Sequence, residues 1–260
     1  MALTVERLDG GVALVTLTAE SAQNAFSVEA MTTISNTINS LIDDEEISAF
    51  VLTGTGKFFC AGADINEFRA CYDDNTISEL VQGLTDILHP LLVRIRQSDT
   101  VYVAAMNGAA AGGGLGLALA ADYRIAVPKT KIAAAFFSLG LSPDGGTTWL
   151  LPRLVGAQRA KKFFFNNETW SGEEALTLGV IDDLVEPEDL IIRSLKVATS
   201  WGDWAKSSRA GTKQLLDSQS FNDFETQLHF EQARIVAASQ TEDFSEGVNA
   251  FLEKREPEFQ

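Results

Sequence analysis

Short apolar runs alternate with amphipathic ones along the first half of the chain. Residues 12–17 alternate large apolar side chains with small or polar ones after the Asp9-Gly10-Gly11 turn, a pattern typical of a β-strand. Ser27 is a favoured helix N-cap, and apolar residues recur behind it every three or four positions, which predicts an amphipathic helix. Its apolar face comprises Val28, Met31, Ile34, Ile38, Leu41 and Ile42.

Further strands are predicted at 50–53, 101–105 and 123–127, and a small-residue helix is predicted to follow the second of these and run to Ala121. Strands separated by helices indicate an α/β fold with parallel pairing. Beyond Pro187 the strand pattern stops, and two helical apolar patterns follow. Their members are Phe224, Leu228 and Ile235, then Phe244, Val248, Phe251 and Leu252.

We therefore divide the chain into a core at 1–190 and a helical C-terminal region at 191–260. No flexible linker separates the two, so the helical region is expected to pack on the core or on a neighbouring subunit.

Composition and charge exclude several classes of protein. The 260 residues are 45% hydrophobic and 22% charged, which is typical of a soluble globular chain. A formal charge of −16 argues against nucleic acid and anionic membranes as partners. The longest small or apolar run, 109–121, is shorter than the stretch of about 20 residues that crosses a bilayer.

The cysteines and the N-terminus predict a cytoplasmic protein. Cys60 and Cys71 are too few for a disulfide framework, and no Cys/His cluster suits a metal ion. The first residues lack the apolar segment of a secretory signal.

Two segments place approachable backbone N–H groups just after predicted strands. One is the glycine run Gly112-Gly113-Gly114, and the other is 58–65. Three successive glycines suit either close packing of helix on strand or the approach of a ligand to the backbone. If both segments met, two N–H donors could hold one oxygen as an oxyanion hole.

Five motifs spread over nearly the whole chain resemble the crotonase superfamily, the enoyl-CoA hydratase/isomerase family, in order and spacing. They are NAFS (24–27), FCAGADI (59–65), AAMNGAAAGGG (104–114), LSPDGGT (141–147) and FLEKR (251–255). The resemblance implies a spiral core of ββα turns, a helical trimerisation region, and a homotrimer or a dimer of trimers.

The resemblance also implies acyl-CoA thioesters as substrates and no further cofactor. It places the two oxyanion donors at Ala63 and Gly113. The implied substrate-binding residues are Ala25, Phe26, Ala61, Ala63, Asp64, Ile65, Asn66, Gly113, Phe136, Phe251 and Lys254.

Two catalytic glutamates of the family's hydratases are absent from this chain. Gly116 stands at the first of these positions and Phe136 at the second. Neither residue can transfer a proton, so hydration is disfavoured as the main activity.

Asp144 is the carboxylate that remains, at a position where isomerase and dehalogenase members resemble one another in carrying an acid. The sequence alone also fits a helix cap for 147–151, because Pro-Asp-Gly is ordinary turn chemistry. We interpret Asp144 as a proton shuttle that moves a β,γ double bond to α,β. Phe136, Phe137 and Trp149 are expected to keep the pocket dry and to raise the pKa of the carboxyl group.

Three alternatives stay open. A dehalogenase resembling the chlorobenzoyl-CoA enzyme would use Asp144 as nucleophile and His89 as base, although Phe136 replaces its tryptophan. An aryl-CoA or ring-epoxide acyl-CoA isomerase would carry a similar aspartate. A non-catalytic acyl-CoA-binding homologue is the third alternative.

Overall fold

Two β-sheets organise the computed structural model, which describes residues 3–19 and 23–259. The first sheet has the strand order β1-β2-β3-β5-β7-β10, and the second has the order β4-β6-β8-β9. The strands are β1 (Leu3–Leu8), β2 (Val12–Leu17), β3 (Ala49–Gly54), β4 (Phe58–Cys60), β5 (Val101–Met106), β6 (Ala109–Ala111), β7 (Tyr123–Ala126), β8 (Lys131–Ala133), β9 (Thr169–Ser171) and β10 (Asp183–Leu184).

Helices follow or cover these strands. They are α1 (Val28–Ile42), α2 (Ile65–Asp73), α3 (Ile77–Gln97), α4 (Gly113–Leu119), α5 (Thr147–Val155), α6 (Ala157–Phe165), α7 (Gly172–Thr177), α8 (Leu190–Gly202), α9 (Lys206–Ser218), α10 (Phe224–Ala238) and α11 (Glu242–Glu253). None of the helices in the described ranges is both long and apolar enough to span a bilayer.

Successive strand pairs rise through the fold as a spiral. The pairs β3–β4, β5–β6 and β7–β8 each give one strand to each sheet. Pairing is parallel except between β1 and β2 and between β8 and β9. This confirms the predicted α/β class and the ββα spiral core.

The predicted strands and the first helix are confirmed with small shifts at their ends. Ser27 caps α1 through its side chain, which accepts a hydrogen bond from the N–H of Ala30 at 3.0 Å. The apolar face of α1 is buried except for Val28, which is exposed. Residues 109–111 form strand β6, so the helix after β5 starts only at Gly113 and ends at Leu119.

The C-terminal helices leave much of their apolar surface uncovered. Helix α8 packs on the first sheet through Leu190, Val197 and Ala198, so it starts at the predicted boundary but belongs to the core layer. The predicted apolar faces of α10 and α11 are both exposed, with Phe224 and Phe251 among their most exposed members. The division at 190/191 and the assembly of subunits stay predictions.

The side chains of two asparagines stabilise the loop that joins β3 to β4 through hydrogen bonds to its backbone. Asn24 is 2% exposed and donates from Nδ2 to the carbonyl oxygens of Thr55 and Phe58, at 3.1 and 2.8 Å. Asn107 accepts from the N–H of Gly54 at 2.9 Å and donates to the carbonyl oxygen of Phe58 at 3.2 Å. The loop leads through the three residues of β4 into 61–64, so these bonds help to fix where that segment begins.

Replacing Asn24 with alanine should lower the free energy of unfolding by about 2–4 kcal/mol, measured by urea denaturation. The change removes the side-chain donor to the Thr55 carbonyl and leaves Asn107 as the side-chain donor to the Phe58 carbonyl. It also puts a Cβ-bearing residue without a polar side chain at φ 52°, in the left-handed region. Asn36→Ala, on the exposed face of α1, is the matched control and should cost nothing. Equal stability of the two variants would contradict this account of the loop.

Candidate active site

The segments 61–64 and 112–114 lie in direct contact, as the oxyanion-hole prediction requires. Phe26 holds the first segment through a parallel bridge, donating to the carbonyl oxygen of Gly62 at 2.7 Å and accepting from the N–H of Asp64 at 3.1 Å. Gly62 has φ +89°, and a Cβ built on it would lie 3.1 Å from the nitrogen of Gly113. Only glycine allows the two backbones to approach this closely.

Ala63 and Gly113 both present their N–H groups at the start of a helix. Ala63 precedes Asp64, the N-cap of α2, and Gly113 is the first residue of α4. Within the described ranges, neither N–H donates to a backbone or side-chain acceptor. Two such donors stabilise negative charge that develops on a carbonyl oxygen. Their assignment as an oxyanion hole stays a prediction.

The glycine run serves packing as well as approach. A Cβ on Gly114 would lie 2.8 Å from the Cβ of Cys60, so this glycine is required by the contact between α4 and β4. A Cβ on Gly113 would lie 3.2 Å from Leu88 and 3.5 Å from the ring of Phe26. The close-packing interpretation of the run therefore applies to Gly114, and the ligand-approach interpretation applies to its neighbour Gly113.

The side chain of Asp144 does not cap helix α5. Gly146 is the N-cap, and the backbone carbonyl of Asp144 accepts from the N–H and the hydroxyl group of Thr147 at 3.1 and 2.8 Å. The helix-cap alternative for the carboxylate is therefore wrong, and the carboxylate is left for other contacts. Gly145 and Gly146 both have positive φ, which turns the chain sharply at this point.

The turn that carries Asp144 packs on the bare backbone of α4. A Cβ on Gly116 would lie 2.9 Å from the carbonyl carbon of Gly145 and closer still to its oxygen. A Cβ on Gly145 would in turn lie 3.5 Å from the Cα of Gly113. Asp144 is thus the residue next to Gly145, whose backbone packs on Gly113, a predicted oxyanion donor.

Burial raises the pKa of Asp144, and the charge on His89 acts in the opposite direction. The side chain of Asp144 is 38% exposed, so the carboxyl group is partly withdrawn from water while one side stays open. The raised pKa agrees with the direction expected from the sequence.

His89 is the residue that sequence reasoning left undecided and that the structure brings to this site. Its Nε2 lies 4.0 Å from Oδ2 of Asp144. The preceding residue, Leu88, is the one that borders Gly113, so α3 forms a wall beside the donors. The sequence signal was a histidine followed by Pro90 within a helix, which says nothing of what lies opposite.

The three aromatic residues predicted to surround Asp144 lie in different environments. Phe136 is buried in the main apolar core, and Phe137 is part-exposed with its ring 5.3 Å from that of Phe165. The indole of Trp149 lies under the guanidinium group of Arg153, with 3.4 Å from the Arg153 Cζ to the ring centroid. Trp149 therefore packs against cations instead of forming a purely apolar wall.

The remaining predicted binding residues are spread over two parts of the chain. Ala25, Phe26 and Ala61 lie beside the donors, and Asp64 accepts from the N–H of Asn66 at 2.8 Å as a helix cap. Ile65 is exposed on the first turn of α2, whereas Phe251 is 83% exposed on α11 and Lys254 follows that helix. Their contacts with a substrate stay predictions.

The sequence pattern of the Enoyl-CoA hydratase/isomerase family matches residues 7–260. The 1,2-epoxyphenylacetyl-CoA isomerase of Escherichia coli (strain K12) is 33% identical, with 100% of this chain and 98% of that protein covered. The short-chain-enoyl-CoA hydratase of Clostridium acetobutylicum is 32% identical, with 96% and 94% covered. The crystal structure of an enoyl-CoA hydratase from Bacillus anthracis superposes with a TM-score of 0.92 at 27% identity and covers 100% of this chain and 99% of that one. The chain belongs to the enoyl-CoA hydratase/isomerase family, in the crotonase superfamily.

Proposed function

We propose that the protein is an enoyl-CoA isomerase that moves a β,γ double bond to the α,β position, with Asp144 as the proton carrier. The observation that carries the proposal is the position of Asp144, a partly buried carboxylate that leaves helix capping to its backbone and whose turn packs on Gly113. Membership in the family supports an acyl-CoA thioester as the substrate class.

The reaction needs one base and two N–H donors. The carboxylate of Asp144 takes a proton from the α carbon, and the electron pair of that C–H bond becomes part of a dienolate. Negative charge then rests on the thioester oxygen, where the N–H groups of Ala63 and Gly113 stabilise it. The protonated Asp144 then delivers a proton to the γ carbon, which leaves the double bond between the α and β carbons, so no water or other group is consumed.

Hydration requires a second proton-transferring group besides Asp144. This chain has no such group at either of the two positions that resemble the glutamate positions of the family's hydratases. Gly116 has no side chain, and the carbonyl group of Gly145 occupies the place where its Cβ would lie. Phe136, at the other position, is a core residue. The same contact therefore leaves no room for a glutamate at position 116 and holds the turn that carries Asp144.

A second candidate activity is favoured by the distance between His89 and Asp144. A carboxylate that attacks an aryl-CoA ring needs a nearby base to activate the water that later releases the product. His89, at 4.0 Å, is placed to act as that base in a dehalogenase-type reaction. The similarity to 1,2-epoxyphenylacetyl-CoA isomerase likewise makes a ring-epoxide acyl-CoA the second isomerase substrate to test.

Asp144→Asn should abolish conjugation of a β,γ-enoyl-CoA, a loss of at least about 1000-fold in kcat, because the amide cannot carry the proton. The assay follows the absorbance of the conjugated thioester in D₂O together with the position of deuterium in the product. Thermal unfolding is the control. Since burial disfavours the charged carboxyl group, the neutral variant should unfold at pH 7 at the same temperature or higher. Retained turnover in this variant would overturn the proposal, and binding without turnover in the wild type would favour a non-catalytic homologue.

The pH profile of kcat/KM should have an acidic limb above the ordinary aspartate value of 3.8, because burial raises the pKa of Asp144. The base is active only when deprotonated, so activity is full above the raised pKa and falls as the pH drops through it. Steady-state rates between pH 4 and 9 with a β,γ-enoyl-CoA provide the measurement. A limb at or below the ordinary value would contradict a desolvated Asp144 as the base.

Gly116→Ala should lower the free energy of unfolding by about 1–3 kcal/mol, because its methyl group overlaps the Gly145 carbonyl. Displacement of the turn should also cut isomerase kcat by about 100-fold. Gly83→Ala is the matched control, since a Cβ at Gly83 in α3 meets nothing within 4 Å and should stabilise the protein by about 0.5–1 kcal/mol. Urea denaturation and the conjugation assay measure both effects. A Gly116→Ala enzyme as stable and active as the wild type would show that the turn does not depend on this contact.

His89→Gln should keep isomerase turnover within about tenfold of wild type, since the proton shuttle uses Asp144 alone. With 4-chlorobenzoyl-CoA, the dehalogenase alternative expects chloride release by the wild type. It also expects an aryl ester to accumulate on Asp144 in the variant, detected by intact-protein mass spectrometry. Absence of chloride release by the wild type would exclude this alternative.

A further inference from the structure

A small cavity lies between the core and the C-terminal helices, apart from the Asp144 site. It has a volume of about 230 Å³ and opens where the ends of α3 and α4 meet α5 and α9. Its lining includes the four cationic residues Arg96, Arg124, Arg153 and Lys213, against two carboxylates. A cation-rich cavity is unexpected on electrostatic grounds in a chain whose formal charge is −16.

The two carboxylates of the lining are already engaged. Asp217 pairs with Arg96 through both of its oxygens. Asp122 lies 2.9 Å from Nζ of Lys213, which also donates to the carbonyl oxygens of Ile95 and Thr100. Neither acid is left for Arg153.

Arg153 is exposed and has no carboxylate partner among the described residues, and its guanidinium group makes two contacts with Trp149. Nη1 donates to the carbonyl oxygen of Trp149 at 2.8 Å, and the guanidinium group stacks on the indole ring of the same residue. The centroid of the Phe221 ring lies 5.9 Å from the Arg153 Cζ. A planar fork of N–H donors fixed in this way is suited to bidentate contact with a carboxylate or a phosphate group.

Arg124 is a second arginine in the lining of the same cavity. Its side chain is about nine-tenths buried, and it pairs with Asp182 at 3.0 Å and donates to the carbonyl oxygen of Ala121 at 2.9 Å. Its Nε is buried with no acceptor among the described residues. Buried donors are nearly always paired, so an unpaired one marks a place where an acceptor is missing.

We propose that this cavity is a binding site for a single oxyanion group, a carboxylate or a phosphate, held by Arg153 with Arg124 beside it. The proposal is independent of the reaction assigned to Asp144. The group has two sources: a free small anion, or a carboxylate side chain of a second copy of this chain. The second source fits the exposed apolar rim formed by Leu216 and Phe221.

Arg153→Gln tests the site, with Arg159→Gln as the matched control. The control removes the same charge from an exposed arginine on the neighbouring helix α6. Thermal unfolding is measured with inorganic phosphate and with succinate, against sodium chloride at equal ionic strength. Sedimentation velocity over a range of protein concentrations measures self-association. Circular dichroism establishes that each variant is folded, and Arg153→Lys, which keeps the charge but not the fork, is a second variant.

If the source is a free anion, phosphate or succinate should raise the unfolding temperature of the wild type and the control by about 2–4 °C. Arg153→Gln should show no rise, and Arg153→Lys a smaller one. If the source is a second copy, the anions should have no such effect, and Arg153→Gln should weaken self-association by about tenfold relative to the control. Identical behaviour of Arg153→Gln and Arg159→Gln in both measurements would overturn the proposal.

Discussion

The packing of the Asp144 turn on the glycine face of α4 is the contact on which the rest of the site depends. A Cβ at Gly116 would overlap the carbonyl group of Gly145, so the turn fits against α4 only because position 116 has no side chain. Because the turn touches backbone, its distance from Gly113 does not depend on the rotamers of intervening side chains. The acid is therefore held in a fixed relation to the N–H groups that would receive the charge it generates.

Local pattern was enough to predict much of the first sheet and its first helix. The alternation of apolar residues predicts strand β2, and the three- to four-residue spacing of apolar residues behind the Ser27 cap predicts helix α1. The second sheet was missed because its strands have only three residues or so, too few to establish an alternation. Residues 109–111 are not predicted as a strand, yet pairing with β4 and β8 makes them one.

Only the site residues that belong to local sequence motifs could be predicted from the sequence. The motifs placed Ala63, Gly113 and Asp144 together, but they could not distinguish capping by the carboxylate of Asp144 from capping by its carbonyl group. That difference is a matter of side-chain direction, which the backbone of two positive-φ glycines decides. The approach of His89 depends on how α3 crosses the site, and this is set by tertiary contacts far apart in sequence.

Helix α3 carries His89 near its middle and is anchored at its end by α9, through the Arg96–Asp217 pair and the bonds from Lys213 to Ile95 and Thr100. These partners are separated by more than a hundred residues of chain. The chain between such partners must be brought together before they can pair, which has an entropic cost. During synthesis the wall of the site therefore stays without its final support until the chain has emerged past residue 217. A nascent chain that ends short of this residue can complete its sheets and still lack a finished site.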